Sequence, residues 1–203
     1  MDIRRDFYLE KLIKRKSNGL IKVITGIRRC GKSYLLNNIF YHHLLDSDVE
    51  ADHIIRFAFD SADDLYLIGE SLIQIEKEKR GADPEKFMAY IRSKTTGEGI
   101  YYLLLDEIQM LDCFEAVLNG YLRKENIDVF VTGSNAKLLS KDIATEFAGR
   151  GDEIHMYPLS FAEFMSVYNG DKCTGLSEYM LYGGIPLVVL PNRWSLLMEW
   201  REM

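Results

Sequence analysis

The sequence predicts an α/β fold of three layers, a parallel five-stranded sheet with helices on both faces. Three observations predict it. A glycine-rich loop, Gly26 to Ser33 (GIRRCGKS), lies between a β-branched run and an amphipathic run. A second apolar run, Tyr101 to Glu107 (YYLLLDE), ends in two carboxylates, and strand-like and helix-like stretches alternate along the chain. Such alternation builds a mainly parallel sheet through helical crossovers.

Each element follows in order. Arg4 to Lys16 sets Phe7, Tyr8, Leu9, Leu12 and Ile13 at helical spacing among charges and stops at Ser17, Asn18 and Gly19, an amphipathic helix. Leu20 to Thr25 (LIKVIT) is short and β-branched, as a central parallel strand should be. After the loop, Leu35, Leu36, Ile39, Phe40, Leu44 and Leu45 recur at helical spacing through about Asp46. Ile54 to Phe59 (IIRFAF) reads as the second strand, with helical stretches near Asp63 to Lys79 and Pro84 to Lys94 punctuated by Gly81 and Gly97. Ile100 to Leu105 is the third strand, Phe114 to Lys124 a helix, and Ile127 to Thr132 (IDVFVT) the fourth strand. Ala136 to Phe147 is a further helix and Glu153 to Tyr157 the fifth strand.

Beyond Pro158 the pattern changes to short helices, Ser160 to Tyr168 and Leu176 to Leu181. A Gly183-Gly184-Ile185-Pro186 break and an apolar run to Leu190 follow. The expected organisation is a core over 1–158 and a partial helical C-terminal segment over 159–203, a lid or the start of a second domain. The last helix candidate, Trp194 to Met203, has no caps and no stop, which points to a chain cut from something longer.

Of 203 residues, 47% are hydrophobic and 28% charged, an ordinary globular composition far from the disordered and fibrous classes. No uncharged apolar run reaches the roughly 18 residues of a membrane span, and MDIRRDFYLEKL lacks the apolar core of a signal peptide. A cytoplasmic protein with no membrane partner is expected. Cys30, Cys113 and Cys173 are widely spaced and match no zinc or redox pattern. The net charge of −6 argues against broad non-specific binding to nucleic acid. It is uneven, because residues 1–32 hold ten Lys/Arg against three Asp/Glu, part of it in the loop itself as Arg28, Arg29 and Lys32.

Gly26-x-x-x-x-Gly31-Lys32-Ser33 matches the Walker A pattern in the context that should confirm it, a strand before and a helix after. Glycines let backbone N–H groups turn inward as an anion nest, and the helix N-terminus adds its dipole. Lys32 then supplies a point charge to the β and γ phosphates, and Ser33 a hydroxyl to magnesium. Gly26, Ile27, Arg28, Arg29, Cys30, Gly31, Lys32, Ser33 and Tyr34 are thus the candidate phosphate-binding residues. The acids ending YYLLLDE fit a Walker B strand: Asp106 would hold magnesium, with Ser33, through its hydration shell. Glu107 would direct water at the γ-phosphate. A strand intervening between the two Walker strands is the layout of the additional-strand class of P-loop NTPases, and no NKxD guanine-reading motif is present, so ATP is preferred over GTP.

Three further features carry two readings each. Ser134 and Asn135, at the end of VFVTGSN, could sense the γ-phosphate, or Asn135 could simply cap the next helix. Arg150, before the fifth strand, could be a finger for a neighbouring subunit's ATP or a surface ion pair. Gln109, which follows the acids, could contact water or a neighbour, or sit exposed at a helix start. Cys30 reads as loop filler ahead of a reactive thiol, and His42 and His43 as surface residues.

Together GIRRCGKS, LLLDEIQ, VTGSNAKLLS, AGR, YPLSFAEF and LYGGIP resemble the predicted AAA+ superfamily ATPases of bacteria and archaea that carry a C-terminal domain of unknown function. The resemblance runs from about Asp6 to Leu190. It implies a P-loop NTPase core of the AAA+ type, with catalytic candidates Lys32, Glu107, Ser134, Asn135 and Arg150 and with ATP and Mg²⁺ as cofactors. It also implies a homo-oligomer if Arg150 acts in trans, and DNA as a family-level partner. The expected function is ATP binding and magnesium-dependent hydrolysis driving a conformational switch. The alternatives are a P-loop phosphotransferase and an ATP-holding assembly module with negligible hydrolysis.

Overall fold

Five short runs rich in Val, Ile, Leu and aromatic residues form the strands: β1 (Ile21–Gly26), β2 (Ile54–Ala58), β3 (Tyr101–Asp106), β4 (Ile127–Thr132) and β5 (Gly151–Met156). In the computed structural model, which describes residues 3–133 and 149–186, they make one sheet in the order β2-β3-β4-β1-β5. Every pair is parallel, so the expected α/β sheet is the one observed. A parallel strand covered on both faces has no wet side, and β1 and β3 are buried at every position. At the edge, β2 turns Arg56 to solvent.

Alternate residues of the strands feed two cores. On one face Val23, Phe57, Leu103, Leu105, Val129 and Val131 pack with Leu65, Phe87, Ile91 and Leu118 from the helices between β2 and β4. On the other, Ile24, Leu104 and Phe130 meet Tyr8, Leu12, Leu35, Leu36, Phe40 and Leu44. Helix α1 (Asp6–Arg15) has an acid in its first turn and Lys14 and Arg15 in its last, matching the helix dipole. Helix α2 starts at the phosphate loop as Lys32–Tyr34, widens into a π segment over Leu35–Phe40 and closes as Tyr41–Asp46.

The stretch read as one helix near Asp63 to Lys79 is two, α3 (Ala62–Leu67) and α4 (Leu72–Glu78). Gly69, at φ 71°, takes the left-handed conformation that glycine adopts cheaply at a helix end. The turn swings Glu70 inward, where Arg80 (2.6 Å) and Lys86 hold its carboxylate. Helix α5 (Pro84–Lys94) begins where Asp83 accepts from the N–H groups of Glu85 (2.8 Å) and Lys86 (3.2 Å). Helix α6 (Phe114–Tyr121) covers the same face.

Strand β5 starts two residues earlier than the apolar pattern indicates, because its pairing with β1 runs from Ile21↔Gly151 to Gly26↔Met156. After Pro158, Ser160 and Glu163 form a capping box at α7 (Phe161–Met165). Asp171 caps α8 (Lys172–Tyr182), which therefore begins before Leu176. These helices are tied to the core. Arg5 ion-pairs with Glu163 at 3.2 Å and donates to the Tyr157 carbonyl at 2.6 Å, and Leu159 N–H donates to the Gly184 carbonyl at 2.7 Å. The helices expected at Ala136 to Phe147 and Trp194 to Met203, and the apolar run ending at Leu190, lie outside the described residues. Among the described residues no helix is long and apolar enough to cross a membrane.

Candidate functional site

The loop between β1 and α2 can close because two of its residues are glycines. At Gly26, φ is 143°, and a β-carbon there would stand 2.2 Å from the Met156 carbonyl oxygen; Gly31 sits at φ 101°. Side chains rarely adopt such angles. Between them Arg29 also takes a positive φ, 67°, and the bend turns Ile27, Arg28 and Arg29 outward while Cys30 goes fully inside. Burial pushes the Cys30 thiol up, with Lys32 and Arg5 opposing, so Cys30 is the packing residue of the loop.

Lys32 opens α2 with its side chain folded back under the loop. It is buried, and its ammonium donates to the carbonyl oxygens of Gly26 and Ile27, each at 3.0 Å. Those bonds hold the charge beneath the surface that the loop presents, with Ser33 and Tyr34 exposed beside it.

Strand β3 lies two places from β1, across β4, and delivers Asp106 to the same end of the sheet. Asp106 Oδ1 accepts from Ser33 Oγ at 3.1 Å and from Thr132 Oγ1, and Oδ2 accepts from Asn37 Nδ2 at 3.3 Å. Asp106 is 5% exposed. Burial pushes its carboxyl above the usual range; Thr132 and Ser33 pull it down, and Glu107 and Asp60 push it further up. A cation at this point would offset that burial. Ser33 Oγ and Asp106 Oδ1 are adjacent hard oxygen donors, the chemistry that suits Mg²⁺.

Glu107 takes the left-handed conformation at φ 51°. Its N–H donates to Thr132 Oγ1 at 3.3 Å, and its Oε2 accepts from Gln109 Nε2. The carboxylate is therefore aimed by the turn after β3.

Of the residues singled out in the sequence, the Gly26–Tyr34 loop, Asp106 and Glu107 come together here. Arg150 does not. It precedes β5, where its carbonyl accepts from Ile21 N–H at 2.9 Å and its guanidinium donates to Asn119 Oδ1 at 3.0 Å. The loop is at the far end of the same pairing, five residues on, about 16 Å away at strand rise. Ser134 and Asn135 lie outside the described residues. Sequence reasoning missed Asn37 and Thr132. Asn37 stands four residues after Ser33, one helical turn and so the same face. Thr132 follows Val131, which pairs with Leu105, and so stands beside Asp106; in the sequence it reads as one more β-branched strand residue.

A family model described as an AAA domain matches residues 18–165. An uncharacterized protein of Haemophilus influenzae is 36% identical over 94% of this chain and 45% of its own length. One of Methanocaldococcus jannaschii is 31% identical over 93% of the chain and 39% of its own. The chain thus spans less than half the length of these relatives. Among solved structures, Saccharomyces cerevisiae Hsp104 in complex with casein superposes with a TM-score of 0.55 at 18% identity, covering 89% of this chain and 31% of that one. The ADP form of Aeropyrum pernix ORC2 superposes with a TM-score of 0.52 at 11% identity, covering 100% and 65%. At these identities the likeness is one of fold.

Proposed function

We propose, from the premise that this chain belongs to the AAA domain family, that it binds ATP with Mg²⁺ at the Gly26–Tyr34 loop and hydrolyses it to drive a conformational switch. The observation that carries the reading is the meeting of Ser33 with Asp106 at 3.1 Å, with Glu107 next in the chain. A binding loop, a pair of oxygen donors and a directed carboxylate in one place are the parts that phosphoryl transfer to water needs.

The backbone N–H groups of the loop, with the N-terminus of α2, would cradle the β and γ phosphates. Lys32, released from the Gly26 and Ile27 carbonyls, adds its charge there. Ser33 and Asp106 would hold the magnesium ion, which would neutralise charge on the phosphates. Thr132 and Asn37 keep the Asp106 carboxylate turned toward Ser33. Glu107 takes the proton of the attacking water and orients it. Ser134 and Asn135 are proposed to read the γ-phosphate, and Arg150 to serve the nucleotide of a neighbouring copy, since its own loop is at the other end of β5. The Aeropyrum pernix ORC2 structure is an ADP form, which fits an adenine nucleotide here.

Two variants test the reading. Lys32→Ala should abolish nucleotide binding by calorimetry, whereas Glu107→Gln should bind ATP normally and lose turnover by a factor of about 10² or more. Full turnover in Glu107→Gln would remove Glu107 from the reaction, and ADP release only with an added acceptor would make the domain a phosphotransferase. Tight binding with no turnover in the parent protein would make it an assembly module.

A further inference from the structure

We infer that Gln109 is the positioning residue for Glu107, holding its carboxylate in the orientation from which it acts on water; the inference rests on the hydrolytic reading above. Gln109 Nε2 donates to Glu107 Oε2. The direction of that bond follows from chemistry, because only the amide nitrogen can face an ionised carboxylate.

Two costs show that Gln109 is there for this bond. Its Oε1 is buried and has no hydrogen-bond partner among the described residues. An unpaired buried carbonyl is a penalty that a leucine of similar size would avoid, so packing does not explain the choice of glutamine. The second is backbone strain, since Glu107 at φ 51° and ψ 47° is a non-glycine residue in the left-handed region. In that conformation the carboxylate meets Gln109 across the turn.

The turn is also fixed from outside. Ile108 and Leu111 are buried, and Met110 N–H donates to the Glu107 carbonyl at 3.0 Å. Ala82 N–H donates to the Met110 carbonyl at 2.7 Å, Asp112 N–H to the Ala82 carbonyl at 3.0 Å, and Gly81 N–H to Asp112 Oδ1 at 2.9 Å. The turn is thereby tethered to the segment before α5, which keeps the Gln109 donor in place beside Glu107.

The test is a double-mutant cycle on the full chain with ATP and Mg²⁺. Gln109→Leu keeps the size and removes the donor, and Gln109→Glu keeps the shape and replaces the donor with an acceptor. Each should lower kcat about tenfold, the loss of one hydrogen bond to a charged group, with KM for ATP unchanged and, in Gln109→Leu, a thermal midpoint no lower than the parent's, since the unpaired carbonyl is gone. In single-turnover measurements on a Glu107→Gln background, Gln109→Leu should cost nothing more, because the two residues act as one unit. If Gln109→Leu unfolds the protein, Gln109→Glu alone decides. Parental kcat in either folded variant, a rise in kcat, or additive losses in the cycle would overturn the inference while leaving Glu107 in its role. Parental turnover in Glu107→Gln itself would instead overturn the reading beneath it.

Discussion

Replacing Gly26 with alanine tests how the phosphate loop is built. The new methyl would lie 2.2 Å from the Met156 carbonyl oxygen and 3.1 Å from Cys30 Sγ, against a carbon–oxygen contact of about 3.3 Å. The oxygen belongs to the backbone of β5, in register with Gly26 itself, so no side chain can swing clear. Relief requires parting the ends of β1 and β5. The backbone angle of 143° costs a non-glycine residue about 1–3 kcal/mol, and a lost ladder bond adds about 1 kcal/mol. The total is about 2–4 kcal/mol, or roughly 5–15 °C in melting temperature for a chain of this size.

Gly19→Ala is the control. Its φ is 73° and a methyl group there would meet nothing within 4 Å, so it bears the backbone cost alone, about 1 kcal/mol. Melting curves by circular dichroism, with and without ATP, read both variants. A Gly26→Ala midpoint within about 2 °C of the Gly19→Ala midpoint would refute the close approach of β5 as the reason for glycine at the loop.

Three further outcomes are expected. Thr132→Val removes a donor to Asp106 and the acceptor of Glu107 N–H, so it should lower stability by about 1–2 kcal/mol and raise the Mg²⁺ concentration at half-maximal turnover, measured by titration. Glu70 is buried between Arg80 and Lys86; burial alone would raise its carboxyl, yet the two cations hold it below the usual range. A lowered carboxyl stabilises the fold above its unfolded value and loses that contribution as pH falls through the folded one. Glu70→Gln should therefore be less stable than the parent by about 1–3 kcal/mol near neutral pH, and the gap should close in acid; a gap independent of pH would count against the pairing. Arg150→Ala should abolish any rise of specific turnover with protein concentration while leaving nucleotide binding unchanged, read by an ATPase assay over a dilution series.

Much of the site was legible in the chain because its chemistry is local. Gly26, Gly31, Lys32 and Ser33 are close neighbours, and the demands of an anion nest select residue types at set spacings. The acids at 106 and 107 end an apolar run that can hardly be anything but a buried strand. Short apolar runs rich in Val, Ile, Leu and aromatic residues marked all five strands, as buried parallel strands require, and helical spacing marked the helices α1, α2, α5 and α6, since that period follows from how a backbone winds. The break at Gly69 was less legible, because what stabilises it is Glu70 reaching Arg80 and Lys86 across a turn.

Contacts between distant segments were decided by the tertiary structure. The order β2-β3-β4-β1-β5 puts β4 between the two motif strands, so Thr132 bridges Asp106 and Glu107, a role that no spacing encodes. Parallel pairing of β5 with β1 carries Arg150 to the end of the sheet away from the loop, which separates it from the nucleotide of its own chain. The same pairing sets Met156 against Gly26. Local sequence selects the conformation of each segment through sterics and hydrogen bonding, whereas strand order and register come from burying many apolar faces at once, and only that packing brings the site residues within reach of one another.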